Sequence, residues 1–160
     1  MADRFPRVRL ISVAPEPFDA PDSRALRREV EAELIDRYGG DQEEGVKPNR
    51  FDVATFLVAR DPGGRAVGCG ALRPHGDGVA EIKRMYVRPA ARGQGVSRLL
   101  LAALEDAARE RGFDTLRLET GTEQPEAMAL YAGAGYVPIE GFGAYADHPA
   151  SRCFERRLAP

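Results

Sequence analysis

The chain of 160 residues contains no tryptophan, two cysteines, two histidines and very little lysine, so that its basic charge is nearly all arginine. Two cysteines cannot form the disulfide framework of a small secreted domain, and as lone thiols they indicate a reducing compartment. His75 and His148 have no partners at the spacing that metal ligands require. The sequence therefore predicts no metal site.

Long apolar runs are also absent. The longest apolar helical stretch begins at Val96 and ends at Glu105, and the first ten residues contain no apolar core, so neither a membrane span nor a signal peptide is expected. A net charge of −2 gives no general attraction to nucleic acid or to an anionic membrane. These absences predict a cytoplasmic protein, and the length predicts one domain over residues 1–160.

Apolar periodicity divides the chain into alternating strands and helices, without repeats or linkers. Asp22 or Ser23 is the expected N-cap of the first helix. One strand, helix and strand form a βαβ unit with two parallel strands, whereas the other strands can be antiparallel. The predicted class is α/β (α+β), with a mixed, mostly antiparallel sheet. Strands are predicted at residues 7–13, 51–59, 66–74, 79–87, 115–120, 136–145 and 151–158, and helices at residues 22–38, 96–111 and 124–135.

The turn VRPAARGQGVS leads from the strand at residues 79–87 into the second helix. The N–H groups of a first helical turn lack intrahelical partners and attract anions. Gly93 and Gly95 allow positive φ angles and close approach of a ligand, and Arg92 adds a guanidinium for phosphate oxygens. A plain tight connection remains an alternative. No Gly-Lys pair exists for a Walker loop, and Arg98 stands where a dinucleotide-binding fingerprint has its third glycine.

Two segments together resemble the GNAT superfamily of acetyl-CoA-dependent N-acetyltransferases. RGQGVS is similar to its pyrophosphate-binding loop, Gln/Arg-x-x-Gly-x-Gly/Ala, and QPEAMALYAGAGYVPI is similar to its second signature, Asn-x-x-Ala-x-x-Leu-Tyr-x-x-x-Gly followed by Phe or Tyr. The predicted elements follow the order of that fold from about residue 7 to residue 158. Ser97 departs from the usual Gly or Ala, and Gln124 departs from the usual Asn.

The resemblance implies a GNAT-like sheet of six to seven strands, flanked by helices and open between its fourth and fifth strands. Acetyl-CoA, as cosubstrate, would lie in this V-shaped opening. The pantetheine would pair with the backbone of Met85, Tyr86 and Val87, and Gln124 would add an amide contact. The pyrophosphate would rest on the N–H groups of Arg92, Gly93, Gln94, Gly95, Val96 and Ser97.

The resemblance also suggests catalytic residues. An alkylamine has a pKa near 10.4, so roughly one in 10³ molecules is neutral and reactive at neutral pH, and a base is expected. Glu81 matches the stretch in which some relatives carry that base, although an ion pair with Arg84 is an alternative. Tyr131 matches the tyrosine that protonates the departing thiolate in many relatives. Its alternative is an aromatic side chain on the apolar face of a helix.

The expected function is transfer of an acetyl group from acetyl-CoA to a primary amine, by direct attack in a ternary complex. A small-molecule acceptor is favoured because no extra domain and no strong net charge would recruit a macromolecule. A protein or peptide acceptor, and a CoA-binding sensor without catalysis, stay open. The acidic segment GGDQEEG, residues 39–45, is either solvated or a rim that attracts cationic amines. A homodimer through edge strands or the last hairpin is a further expectation.

Overall fold

The computed structural model describes residues 10–40 and 47–159, which form seven strands and three α-helices around one mixed sheet. The strands are β1 Ser12–Pro15, β2 Thr55–Arg60, β3 Ala66–Gly76, β4 Val79–Val87, β5 Thr115–Gly121, β6 Val137–Ile139 and β7 Ser151–Arg157. The helices are α1 Pro21–Tyr38, α2 Val96–Glu110 and α3 Pro125–Gly133, with short 3₁₀ turns at Pro89–Ala91 and Gly143–Tyr145.

The sheet has the strand order β1-β2-β3-β4-β5-β7-β6. Strands β4 and β5 run parallel and are joined by α2, whereas every other neighbouring pair is antiparallel. The mixed sheet and the central βαβ unit predicted from the sequence are therefore confirmed.

Each face of the sheet is covered by its own helix. On one face Leu100 and Leu104 of α2 are fully buried in the larger apolar cluster, together with Leu57 of β2. On the other face Leu26 of α1 packs in a second cluster with Phe56, the residue before Leu57 in β2. Because side chains alternate along a strand, the apolar run in β2 serves both clusters.

The central feature is the separation of β4 from β5. The two strands are paired only from Val79 to Ile82 and from Thr115 to Leu118, although both continue beyond these residues. In β4 a bulge shifts the register against β3, and Arg84 within it has a φ angle of 58°. A left-handed conformation costs a non-glycine residue about 1–2 kcal/mol, so the bulge needs support from its surroundings.

Two contacts support the bulge. The guanidinium of Arg84 donates to the Glu31 carboxylate of α1 at 3.1 Å, and the Cys69 thiol donates to the Arg84 carbonyl at 3.2 Å. Burial raises the pKa of Cys69 to about 12, so this thiol stays protonated and able to donate. Helix α1 and strand β3 thus both hold β4 in its bent course.

The predicted N-cap of the first helix, Asp22 or Ser23, is wrong. Ala20 occupies the N-cap position and provides no side-chain hydrogen bond, while Pro21 is the first helical residue. Asp22 instead receives a hydrogen bond from Arg60 at 2.9 Å, and Ser23 is buried inside the helix. Proline preorganises the first turn, which lets the helix begin before the residues expected to cap it.

Three predicted strands differ from the observed strands by more than two residues at one end. β1 begins at Ser12 rather than residue 7, and residues 7–9 lie outside the described part of the chain. β2 begins at Thr55 because Asn49 and Asp52 form a hydrogen-bonded turn just before it. The strand predicted at residues 136–145 shrinks to Val137–Ile139, an edge position that tolerates its proline.

Glycine in β3 allows α2 and β4 to approach closely, and this gives a stability prediction. A Cβ atom on Gly68 would lie 2.7 Å from the Tyr86 carbonyl oxygen, which is backbone and cannot move aside. We expect Gly68→Ala to lower the free energy of unfolding by about 1–3 kcal/mol. Denaturant titration measures it.

Gly133→Ala is the matched control for Gly68→Ala. Gly133 ends α3 with no atom within 4 Å of an added Cβ and no positive φ angle, so alanine there is expected to stabilise by about 0.5–1 kcal/mol. Equal effects of the two substitutions would contradict the close approach at Gly68.

Candidate active site

Two adjoining cavities fill the opening between β4 and β5. We call the first the splay cavity; it has a volume of about 160 Å³ and lies between residues 82–85 of β4 and residues 119–121 of β5. The second, the turn groove, has a volume of about 290 Å³ and runs along residues 85–87 of β4 to the start of α2. Both are lined by Val30, Leu34, Met85, Gln124, Ala127 and Tyr131, so they meet there.

The turn groove ends on the N-terminus of α2. Gly93 and Gly95 have φ angles of 75° and 80°, and a Cβ atom on either would meet no atom within 4 Å. No hydrogen bond of the described residues uses the backbone N–H groups of residues 93–98. The N–H of Arg92 is already donated to Pro89 at 3.3 Å. Unpaired N–H groups at a helix start, beside two glycines, are suited to bind an anion.

Arg92 lies at the groove with its side chain already engaged. Its guanidinium donates to both Glu33 carboxylate oxygens, at 2.8 and 2.9 Å, and to the Val87 carbonyl at 2.9 Å. A phosphate ligand would have to compete with Glu33 for this guanidinium.

The structure brings most of the predicted cofactor residues together at the turn groove. Gln94 is the exception, because its side chain donates to the Ala90 carbonyl at 3.4 Å and lines a different, smaller cavity. The residues that do line the groove are Met85, Tyr86, Val87, Arg92, Gly93, Gly95, Val96, Ser97 and Gln124.

Tyr131 stands where the two cavities meet. Helix α3 buries its ring to 5% exposure, edge-on to Tyr136 with ring centroids 5.8 Å apart. Its hydroxyl forms no hydrogen bond with any described residue. Burial, and then the charge of Glu119, raise the pKa of Tyr131, so its phenol stays protonated at neutral pH and holds its proton more tightly than a free tyrosine does.

Glu81 has a different environment from the one expected for an accessible base. It is 1% exposed, and it accepts a hydrogen bond from Arg73 at 2.8 Å rather than from Arg84, which pairs with Glu31. Its second carboxylate oxygen has no partner, and Glu81 lines neither cavity. Its role as the base stays a prediction.

Glu119 is the residue that the sequence reasoning missed. It lies on β5 just beyond the last pair with β4, and it lines the splay cavity together with Tyr131. The Ser151 hydroxyl donates to its carboxylate at 2.9 Å. Burial is the largest influence and raises the pKa of Glu119, while the Ser151 hydrogen bond opposes the rise. The signal was present in the alternation of β5, where Leu116 and Leu118 face the core and Glu119 faces away.

The remaining predictions concern features away from the two cavities. Within the described residues no group of three or more histidine, cysteine, aspartate or glutamate side chains is placed to hold a metal ion. Cys69 and Cys153 are both free, buried thiols in strands. Most of the acidic segment at residues 39–45 falls in residues 41–46, outside the described part.

A membrane span was not expected, and none is found in what the structure describes. Across residues 10–40 and 47–159, no helix combines the length and the apolar character that crossing a bilayer requires.

Comparisons with known proteins agree on the class of enzyme. A model of the acetyltransferase (GNAT) family matches residues 16–136. The chain is 40% identical over 134 residues to an IAA acetyltransferase of Azospirillum brasilense, which covers 79% of this chain and 87% of that protein. The chain therefore belongs to the GNAT family, whose members are acetyl-CoA-dependent N-acetyltransferases.

Solved structures support the same fold. A proposed acyl-CoA N-acyltransferase from Klebsiella pneumoniae superimposes with a TM-score of 0.81 at 35% identity, over 94% of this chain and 99% of that one. A GNAT family acetyltransferase from Elizabethkingia anophelis, with acetyl-CoA bound, superimposes with a TM-score of 0.68 at 20% identity, over 92% and 98% of the two chains. The enzyme class and the GNAT-like sheet expected from the sequence are confirmed.

The geometry of the turn predicts how glycine substitution affects cofactor binding. Gly95 and Gly112 flank the two ends of α2 with φ angles of 80° and 82°, and neither has an atom within 4 Å of an added Cβ. Alanine at either position should lower the free energy of unfolding by a similar amount, about 1–2 kcal/mol, because each imposes the same strain.

Only Gly95→Ala should weaken CoA binding, since only that Cβ projects into the turn groove. Isothermal titration calorimetry with CoA measures the difference in affinity between the two variants. An equal loss of affinity would contradict CoA binding in the turn groove.

Proposed function

We propose that this protein transfers the acetyl group of acetyl-CoA to the primary amine of a small molecule, by direct attack within a ternary complex. The observation that carries the proposal is the junction of the turn groove and the splay cavity at Met85 and Tyr131. One cavity can hold the cosubstrate while the other holds the amine, with the thioester between them. Two reactants held together in one site react without a separate acyl-enzyme.

The residues along the groove fit the parts of acetyl-CoA. The N–H groups of residues 93–97 are suited to the pyrophosphate, and Gln124, which lines the groove, would add an amide contact with the cosubstrate. The edge of β4 at residues 85–87, which β5 no longer covers, is suited to the pantetheine amides. A strand N–H near the bulge, at residues 82–85, would stabilise the developing oxyanion.

Direct attack is also favoured by the state of the cysteines. A covalent route needs an accessible nucleophile, whereas Cys69 is fully buried and donates its thiol proton to a carbonyl. Cys153 is also buried, and burial raises the pKa of its thiol above the usual value. Neither cysteine lines the two cavities.

The size of the splay cavity supports a small acceptor. Its volume of about 160 Å³ is below the roughly 300–1,000 Å³ of pockets that hold drug-sized ligands. Its walls combine apolar side chains, among them Val30, Leu34 and Ile82, with charged ones that include Glu31 and Glu119. Such a mixed lining suits a small amine that carries both a carbon skeleton and polar groups.

The function is tested by release of CoA thiol in the presence of an amine panel. Small alkylamines, amino acids and polyamines are compared with peptides that present a lysine or a free N-terminus, using a thiol-reactive chromophore. We expect turnover with members of the small-molecule set and none above background with the peptides. Faster turnover of peptides would show that the acceptor is a peptide or protein amine rather than a small molecule. Binding of acetyl-CoA without turnover on any amine would indicate a CoA-binding sensor.

Tyr131 is proposed as the acid that protonates the departing CoA thiolate. Tyr131→Phe removes only the hydroxyl at the junction of the cavities, so kcat should fall roughly 10²-fold, within the range for loss of a general acid, while the Kd for CoA changes little. Steady-state kinetics and calorimetry measure the two quantities.

Tyr136→Phe is the control for Tyr131→Phe, because Tyr136 lies beside Tyr131 but bonds Glu105 and lines neither cavity. It should reduce stability and leave kcat near the wild-type value. An unchanged kcat in Tyr131→Phe would remove that residue from the acid role.

A further inference from the structure

We propose that Glu119, rather than Glu81, accepts the proton from the acceptor amine. The inference rests on the proposed acetyl transfer and assigns one step of it to a residue of the same site. Glu119 is placed for this role because its side chain lines the splay cavity, where the amine must lie to reach the thioester. It shares that cavity with Tyr131, so a proton acceptor and a proton donor face one space.

The position of Glu119 follows from the separation of the strands. Glu81 is opposite Arg117 in the paired part of β4 and β5, and Glu119 lies two residues further along β5, beyond the last pair. Side chains two residues apart on a strand point to the same face. Glu81 and Glu119 therefore lie on one face of the sheet, with Glu81 in its closed part and Glu119 in its open part.

Several groups face the Glu119 carboxylate from the surrounding elements. Glu81 and Lys83 do so from β4, Ser151 and Cys153 from β7, His148 from the segment before β7, and Tyr131 from α3. Burial and the charge of Glu81 raise the pKa of Glu119, whereas Ser151, Lys83 and His148 lower it, and the net result is a raised pKa. A carboxylate with a raised pKa is a stronger base near neutral pH.

Glu81 has the wrong surroundings for direct contact with an amine. Its ion pair with Arg73 occupies one carboxylate oxygen, and the residue is only 1% exposed to solvent. Its negative charge nevertheless acts on Glu119 through space. We infer that Glu81 is a positioning residue that adjusts the basicity of Glu119.

The nitrogen lone pair of the neutral amine attacks the thioester carbonyl, forming the C–N bond and moving the carbonyl electron pair onto oxygen. Glu119 takes a proton from the nitrogen. The oxygen electrons then reform the carbonyl and break the C–S bond, and the thiolate takes the hydroxyl proton of Tyr131. The proton on Glu119 returns to the Tyr131 phenolate through water in the cavity, leaving amide and CoA thiol as products.

The test is the pH dependence of kcat/KM, measured with one active amine from the panel. The pH profile of the wild-type enzyme should fall at acid pH as Glu119 becomes protonated, and we call this fall the carboxylate limb. A separate limb of the profile reports protonation of the amine itself. Glu119→Gln should abolish the carboxylate limb and lower the rate at pH 7 roughly 10²-fold. Glu110→Gln, the same change at an exposed residue of α2, should leave the profile unaltered.

Two further variants test the sign of each influence on Glu119. Ser151→Ala removes a hydrogen bond that favours the charged carboxylate, so the acid limb should move to higher pH. Glu81→Gln removes a neighbouring negative charge, so the limb should move to lower pH while remaining present. A purely structural role for either residue would not move the limb in these opposite directions.

The outcomes separate this inference from the function on which it rests. If the wild-type protein releases no thiol with any amine, the proposed function fails. If the wild-type protein is active, but Glu119→Gln keeps the limb and Glu81→Gln loses it, Glu81 is the base and the inference is overturned. Thermal unfolding and CoA affinity, measured for each variant, distinguish a loss of activity from a loss of folding. If Glu81→Gln fails to fold, Ser151→Ala still tests the influence of its neighbours on Glu119.

Discussion

Strands β4 and β5 hydrogen-bond over four residue pairs and then part, and both cavities of the active site lie in the resulting gap. On its opposite edge, β5 remains paired with β7 along all seven of its residues. β4 bends away from β5 at the bulge around Arg84. Hydrogen bonds from Arg84 to Glu31 and from Cys69 to Arg84 stabilise the left-handed backbone conformation there. The opening thus follows from the hydrogen bonding of the sheet and from the contacts of Arg84.

The far ends of the gap are fixed by neighbouring helices. The Tyr38 hydroxyl at the end of α1 accepts a hydrogen bond from the Glu123 N–H at 3.1 Å, and Arg37 donates to the Glu123 carbonyl at 3.2 Å and pairs with Glu126. These contacts hold the segment after β5 against α1, so that α3 presents Tyr131 to the cavities. Rigid placement of this kind is what proximity catalysis requires.

Much of the fold could be predicted from the sequence because local signals were strong. The apolar stripe of α2 and the glycines on either side of it set its bounds to within one residue. The surroundings of the candidate acids were harder to predict, since their partners depend on register. Gly76 faces Val79 across the hairpin turn, so an unbroken ladder would place Pro74 opposite Glu81. A bulge between Pro74 and Gly76 moves Arg73 there instead. Sequence periodicity does not reveal such a shift.

Glu119 was missed for a related reason. Its strand has an ordinary alternating pattern, and nothing in that pattern shows that pairing with the neighbouring strand ends at Leu118, one residue before Glu119. Burial and exposure of a charged residue at a strand end are tertiary properties. The turn at residues 92–97 could be interpreted from sequence because its chemistry lies in the backbone, whereas the acid–base chemistry depends on which side chains share a cavity.

The central claim is that the amine attacks the thioester directly, with both substrates present in the joined cavities. Intact-mass spectrometry of the enzyme, incubated with acetyl-CoA before any amine is added, tests it most directly. With direct attack, we expect an unchanged protein mass, and product formation only when the amine is added. A protein heavier by one acetyl group, which then passes to the amine after free CoA is removed, would contradict it.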